Sequence, residues 1–254
     1  MGSYAPPVDQ LLKLGRPIGL NTKVDYVALG IGPEHVPDLI RLLKDETLFE
    51  KEPEAYAQIH AWRALGQLRA REAIGPLLDV MAENAEAEDF SDWILEELPV
   101  VLGSFGPETI PIVVVRIDRQ NARRTQEHAA VLKEVGRQHP EARAEAVSHL
   151  CRLLETAGTN DPTLNAFLIS NLIDLKAAEA LPAIERAYAT NNVDLSLHGG
   201  LEEAKFYMGL GPKPQHAQPP LTSPRPSGQN AKQRFNERQR QKKLAKKQKK
   251  RKGK

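Results

Sequence analysis

One apolar pattern recurs five times along this chain, and it constrains the fold more than any other feature. Each copy places apolar side chains at positions i, i+3, i+4 and i+7, which lie on one face of an α-helix. Successive copies begin 38, 36, 37 and 34 residues apart, and only the fifth contains a charged side chain, Glu185. The copies begin at Val36, Ile74, Ile110, Val147 and Leu181. A period in this range, with one apolar helix face per unit, is typical of stacked helical hairpins.

A similar apolar stripe precedes the later copies and predicts the first helix of each hairpin. These stripes occupy residues 61–68, 98–105, 128–135 and 168–175. Glycine adopts left-handed turns without a Cβ penalty, and glycines lie near the predicted ends of these helices. The predicted turn glycines are Gly30, Gly66, Gly103, Gly106 and Gly136. We therefore expect an all-α fold, an α-solenoid of about five hairpins over residues 21–211, preceded by an N-terminal lead-in over residues 1–20.

Two local features bear on this helical prediction. Residues 112–115 read Ile-Val-Val-Val, a run with high strand propensity. The repeat register places the same run on a helix, and we predict a helix there. Pro99 lies inside a predicted first helix, where a proline either kinks the helix or begins it.

The charge of the chain changes sign near its C-terminal end. From Lys213 onward the sequence contains 15 Lys or Arg residues and one acid, Glu237, for a charge of +14. The preceding residues contain 20 bases and 32 acids, for a charge of −12. Residues 212–231 form a Pro-rich linker, and residues 232–254 form a basic tail that we expect to be disordered. An acidic body with a basic arm is typical of proteins that contact polyanions.

The basic tail is the strongest functional signal in the sequence. Dense Lys and Arg side chains bind phosphate backbones by releasing counterions, without reading a base sequence. Phe235 is the only aromatic residue of the tail, so base stacking contributes little. The alternative is a solubilising tail with no dedicated target. The candidate polyanion-binding residues are Lys242, Lys243, Lys246, Lys247, Lys249, Lys250, Arg251 and Lys252.

An acidic stretch without any basic residue runs from Glu83 to Glu97. Hard cations bind such oxygens, but the stretch lacks the spacing of an EF-hand loop, and we expect no metal there. It is either a solvated loop or a docking site for a basic partner or for the chain's own tail. The candidate partner-binding acids are Glu88, Asp89, Asp92 and Glu96.

A second candidate surface surrounds a tryptophan. Trp62 and Trp93 lie in or beside apolar stripes, which predicts that they belong to the core. His60 and Arg63 flank Trp62, and we expect both to point partly outward, where they could contact a protein partner.

Two further residues in apolar stripes are predicted to be structural. His128 occupies a stripe position, which favours a hydrogen-bonded histidine between helices over a ligand. Cys151 belongs to the fourth apolar copy, which predicts a buried and inert thiol. As the only cysteine it can form neither an internal disulfide nor a cysteine zinc cluster.

Three segments resemble an uncharacterised group of bacterial HEAT-like repeat proteins. They read IHAWRALG over residues 59–66, DWILEELP over residues 92–99 and LNAFLI over residues 164–169. The hairpin period also resembles HEAT-like repeats of the type seen in phycobilisome lyases. The resemblance covers roughly residues 4–210 and implies a solenoid of HEAT-like hairpins with no established activity. Some members end in a Cys-rich zinc-binding motif, which this chain lacks, so no zinc-dependent role is implied.

The sequence contains no recognisable catalytic motif. It has no phosphate-binding loop, no nucleophile elbow and no HExxH motif. None of its seven histidines is followed by Glu, which excludes the di-iron site of the HEAT-like deoxyhypusine hydroxylases. We therefore expect no cofactor and a non-catalytic scaffold that binds a protein partner and contacts RNA or ribosomes through its tail. The alternative is a lyase or chaperone-like helper that acts on a modified protein.

The sequence also predicts where such a protein works. Its longest apolar run, residues 110–115, is interrupted by Pro111 and is too short to cross a bilayer. The first residues lack the pattern of a secretory signal. We expect a cytoplasmic protein with no membrane contact.

Overall fold

The computed structural model describes residues 4–17, 24–45, 47–48, 52–83 and 93–214. These residues form helices and turns and contain no β-strand, which confirms the all-α prediction. The chain divides into two compact units, and the boundary falls between Leu98 and Pro99. The sequence predicted one continuous repeat region, so this division is new information.

The described residues of the first unit form three α-helices and several short 3₁₀ turns. The α-helices are α1 (Val36–Leu43), α2 (Ala57–Leu68) and α3 (Ile74–Glu83). The 3₁₀ turns are Val8–Lys13, Pro33–His35, Glu54–Tyr56 and Arg71–Ala73, and a π turn covers Trp93–Glu97. Helix α1 packs on α2 and α3, and Val8–Lys13 packs on α2. Because Val8 and Leu11 are fully buried, the predicted lead-in contributes to the core of this unit.

The second unit contains a succession of helical hairpins. Its helices are α4 (Leu98–Ser104), whose first residue closes the first unit, α5 (Thr109–Val114), α6 (Ala122–Gln138), α7 (Arg143–Leu154), α8 (Pro162–Asp174), α9 (Leu181–Ala189) and α10 (Leu201–Met208). Helices α6 and α7 pack together as a hairpin, and α8 packs beside α6 while α9 packs beside α7. Each helix of one hairpin therefore contacts its counterpart in the next. Pro99 is the second residue of α4, so this proline lies at the start of a helix, as expected.

The five apolar copies fall on alternate helices, α1, α3, α5, α7 and α9, except that Ile117, the last member of the third copy, lies beyond the end of α5 at Val114. Every copy contributes fully buried side chains, and Ile74, Leu77 and Leu150 have no solvent exposure. Residues 112–114 are helical in α5, which confirms the helix over the strand. Cys151 is only partly buried, so the prediction of a fully buried thiol is wrong.

The glycines near the helix ends have two different roles. Gly30 and Gly106 adopt φ values of 88° and 113°, which confirms them as left-handed turns. Gly66, Gly103 and Gly136 instead lie inside α2, α4 and α6, so the prediction is wrong for these three.

Close helix packing explains the glycine at position 103. A Cβ at Gly103 would lie 2.7 Å from the Cβ of Glu134 and 2.9 Å from its backbone carbonyl carbon. Glycine therefore allows α4 to approach the backbone of α6. The left-handed position after α2 is occupied by Arg69, and the one after α8 by Lys176, with φ values of 51° and 50°.

Candidate functional site

The predicted site residues fall into three groups in the structure. The tail residues from Lys242 to Lys252, together with Glu88, Asp89 and Asp92, lie outside the described residues. Glu96 is exposed, as a partner contact requires. His60 and Arg63 belong to a polar network in the first unit.

His60 is buried, so the prediction that it points outward is wrong. Its Nε2 lies 2.9 Å from the backbone carbonyl oxygen of Gly15, which can only accept, so Nε2 carries the proton. Its Nδ1 lies 2.8 Å from Tyr26 Oη and therefore accepts the phenolic proton. Burial is the main cause that lowers the pKa of His60, which agrees with a neutral ring.

Arg63 and Trp62 converge on one buried carboxylate, that of Glu97. Arg63 Nε lies 2.6 Å from Glu97 Oε1, and Arg63 Nη2 lies 2.8 Å from Glu97 Oε2. Trp62 Nε1 donates a third hydrogen bond to Glu97 Oε1 at 2.8 Å. The Arg63 side chain retains 11% exposure, so little of it is available to a partner. Trp62 is buried, which confirms its place in the core.

These contacts form one continuous chain of donors and acceptors. Arg63 also hydrogen-bonds Tyr26, whose hydroxyl donates to His60. Burial lowers the pKa of the Arg63 guanidinium, but its hydrogen bonds and the charge of Glu97 outweigh this and raise it overall. Burial raises the pKa of the Tyr26 phenol. The network joins α2 to the turn around residue 26 and to Glu97. Its hydrogen-bond donors and acceptors are paired with one another, as expected for contacts that hold a fold together.

Glu97 was predicted only as the end of an acidic stretch, and its buried contacts with Arg63 and Trp62 were not expected. The available signal was its distance from Trp62 and Arg63, which is 35 and 34 residues, close to one repeat period. A buried Trp-Arg pair with an acid one repeat later indicates a contact between neighbouring repeats.

In the second unit, some side chains cap the C-terminal ends of helices in neighbouring hairpins. Arg143 at the start of α7 donates to the carbonyl oxygens of Leu175 at 3.0 and 3.1 Å and of Lys176 at 3.1 Å, just after α8. His139 Nε2 lies 3.1 Å from the carbonyl oxygen of Gly103 in the last turn of α4. Helix C-terminal carbonyls lack partners within the helix, so these donors satisfy them and bind adjacent hairpins together.

Asparagines join the loops at the other ends of the helices. Asn165, fully buried at the start of α8, donates from Nδ2 to the carbonyl oxygens of Ala157 and Asn192, both at 2.8 Å. Asn192 Nδ2 in turn donates to the carbonyl oxygens of Ala157 and Asn160, also at 2.8 Å. The loop before α8 and the loop after α9 are thus held in one hydrogen-bonded arrangement.

Glu127 on α6 is a buried acid without a hydrogen bond to its carboxylate. Its side chain is 4% exposed, and neither carboxyl oxygen has a hydrogen-bond partner. The nearest cation is Arg123, with Nε 3.6 Å from Oε1. Burial raises the pKa of Glu127 to about 7 because the charged form has lost its hydration. His128 beside it is buried and hydrogen-bonded, but its Nδ1 donates at 2.7 Å to the Arg124 carbonyl oxygen of the same helix, so the predicted bond between helices is not the one formed by this nitrogen.

Residues 4–17, 24–45, 47–48, 52–83 and 93–214 contain no group of three or more His, Cys, Asp or Glu side chains placed to share a metal ion. Within the same part of the chain, no helix has both the length and the apolar character that crossing a membrane requires. None of the family models, curated proteins or solved structures compared with this chain matches it.

Proposed function

We propose that this chain is a non-catalytic, cytoplasmic scaffold with two binding parts. The first is an α-solenoid of HEAT-like hairpins that binds a protein partner on its surface. The second is the basic tail, residues 232–254, which binds RNA or another polyanion and tethers the scaffold to it. The separation of charge between a −12 body and a +14 C-terminal segment is the observation that carries the proposal.

The helix contacts of the second unit support the solenoid part. In a solenoid each helix packs on its counterpart in the next repeat, and α8 on α6 and α9 on α7 have this relationship. Arg143 adds hydrogen bonds between successive hairpins, and Asn165 joins the loop before α8 to the loop after α9. Stacked hairpins present an extended surface, which suits a protein partner better than a buried catalytic site.

The composition of the tail supports the polyanion part. Lys and Arg side chains at this density displace the counterions of a phosphate backbone whatever its base sequence. A tether of this kind raises the local concentration of the scaffold beside its target without requiring new contacts from the folded body.

A surface that binds a partner needs exposed residues. His60 and most of the Arg63 side chain are buried and therefore cannot belong to it. Two neighbours in the π turn meet the requirement, since Leu95 is 41% exposed and Glu96 is exposed. An exposed apolar side chain beside acids suits a partner that presents an apolar residue within a basic segment. Glu88, Asp89 and Asp92 precede this pair in the sequence and lie outside the described residues.

The tail proposal is tested by purification of the full chain from cells. A matched chain replaces the eight candidate tail cations, Lys242 to Lys252, with Gln, which keeps length and polarity but removes charge. Nucleic acid that co-purifies at low and at high salt is measured by nuclease-sensitive absorbance. The proposal predicts RNA with the unaltered chain at low salt and a loss of most of it in the Gln variant. Equal RNA in both preparations would contradict the proposal.

The partner proposal has its own test. The full chain and the double variant Leu95→Ala, Glu96→Lys are titrated with synthetic basic peptides that carry one aromatic residue. The proposal predicts saturable binding by the full chain and at least about tenfold weaker binding by the variant. A variant at Glu72, an exposed acid of the same unit, serves as the control for charge.

A further inference from the structure

Five arginines cluster at one edge of the second unit. Four lie between the end of α5 and the first turn of α6, and the fifth lies on α7. They are Arg116, Arg119, Arg123, Arg124 and Arg152, and we call them the arginine edge. Residues 116–124 contain a single acid, Asp118, within a body that carries −12 overall. The arginine edge is therefore positively charged, whereas the body as a whole is negatively charged.

Hydrogen bonds within the arginine edge join the loop before α6 to the end of α7. Arg119 Nη2 lies 3.4 Å from the carbonyl oxygen of Arg152, and its Nη1 lies 3.3 Å from Thr156 Oγ1. These bonds hold the loop before α6 against the end of α7. The charges of Arg116 and Arg124 both contribute to lowering the pKa of His128, after burial, so both guanidinium groups act on that ring.

The partners of Arg119 and Arg152 leave their charges uncompensated. Arg119 donates to neutral oxygens, and Arg152 Nη2 donates to Ser148 Oγ at 3.4 Å. The one acid of the loop, Asp118, accepts from the backbone N–H of Gln120 at 3.0 Å. Both arginines are exposed, so their positive charge faces solvent.

The start of α6 adds to this positive field. Its first turn contains no acid and two arginines, although the positive end of a helix dipole favours acids there. Arg124 Nε is buried without a hydrogen-bond partner. Arginines at the positive end of the helix dipole destabilise the helix. An anion bound beside them would remove this destabilisation.

We propose that the arginine edge binds the phosphodiester backbone of a nucleic acid. The edge contains arginine and no lysine, and the guanidinium fork matches phosphate geometry with two hydrogen bonds at a time. Its members extend from the loop after α5 to the last turn of α7, which suits a linear series of phosphates. The inference builds on the polyanion contact proposed for the tail, but it rests on different residues of the folded body, so each can fail without the other.

The test compares two double variants of the full chain that change its charge equally. Arg119→Glu, Arg152→Glu alters the edge, and Arg71→Glu, Arg186→Glu alters exposed arginines elsewhere. Binding of fluorescein-labelled oligouridylate and oligothymidylate is followed by anisotropy over a series of salt concentrations. Both pairs are measured with the natural tail and with the eight tail cations replaced by Gln. Helical content and the thermal midpoint establish that each variant is folded.

The inference predicts that the edge variant binds both oligonucleotides about tenfold more weakly than its control, with either tail. Loss of two phosphate contacts should also make the slope of log K against log salt smaller by about 1.4. Equal affinity of the two double variants would overturn the arginine edge, whatever the tail does. Tighter binding of polyglutamate than of either oligonucleotide would overturn the choice of a nucleic acid.

Discussion

Arg63 and Glu97 form a bidentate ion pair in the first unit although 34 residues separate them in the sequence. The Glu97 side chain is 3% exposed, so its charge depends on Arg63 and on the hydrogen bond from Trp62. A carboxylate buried in this way is tolerated only while its donors remain, because the protein interior cannot replace them with water. The pair therefore fastens the end of the first unit to α2.

Substitution of Glu97 tests this fastening. Glu97→Ala leaves the Arg63 guanidinium and the Trp62 N–H without their acceptor, and breaking a buried pair in this way costs about 3 kcal/mol of stability. Denaturant unfolding gives the free energies of the unaltered chain, of Glu97→Ala and of Glu96→Ala, whose side chain is exposed. If Glu97→Ala lowers the free energy of unfolding no more than Glu96→Ala does, the ion pair does not hold the unit together.

Glu127 makes stability depend on pH. Its pKa is raised from 4.5 to about 7, so the unfolded chain releases this proton at lower pH than the folded chain does. Stability therefore falls as pH rises from about 4.5 to about 7, and the penalty persists above that range. Glu127→Gln, which resembles the protonated acid, should be more stable than the natural chain by about 2–3 kcal/mol near pH 8 and equal to it near pH 4. A difference that stays constant across this range would contradict the assignment, and Glu155→Gln, on the surface, provides the control.

Gly103 is predicted to be intolerant of a methyl group. Alanine favours helices intrinsically, but its Cβ here would meet Glu134 at 2.7 Å. We expect Gly103→Ala to lower the free energy of unfolding by about 1–3 kcal/mol. The matched control is Gly158→Ala, because its nearest contact would be Thr190 Cγ2 at 3.8 Å. Equal stability of the two variants would mean that α4 and α6 do not require a glycine between them.

Cys151 is predicted to be reactive in the native chain, though slowly. The thiol is partly exposed, and burial together with the charge of Glu179 raises its pKa, so little thiolate is present at neutral pH. A maleimide or iodoacetamide should label the folded chain at a rate that is well below that of a free thiol and increases with pH. Absence of labelling until the chain is unfolded would instead support a fully buried side chain.

The helices could be predicted from the sequence, and their packing only in part. The apolar copies starting at Val36 and Ile74 follow the helical period, so their burial followed directly from the pattern. Gly103 was misread because one residue type serves both left-handed turns and close helix contacts, and sequence does not distinguish them. Lys176 was missed as a left-handed residue for the opposite reason, since a lysine gives no signal for that conformation.

The polar network around His60 could not be predicted from the sequence, for a different reason. The stripe on α2 suggested one apolar face, which would leave His60 on the other. In the structure α2 is buried on several sides, because residues 59–62 all lie in the core. The partners that make burial of His60 possible, Tyr26 and Gly15, precede the predicted hairpins, so the repeat pattern carried no information about them.

The most direct test of the two-part scaffold is the salt dependence of RNA binding by the full chain. Oligouridylate affinity is measured by anisotropy over a series of salt concentrations for the natural chain and for the chain with its eight candidate tail cations replaced by Gln. The account predicts a steep linear fall of log K with log salt for the natural chain and a slope several units smaller for the Gln variant. The same affinity and the same slope for both chains would contradict the claim that the basic tail is a polyanion-binding tether.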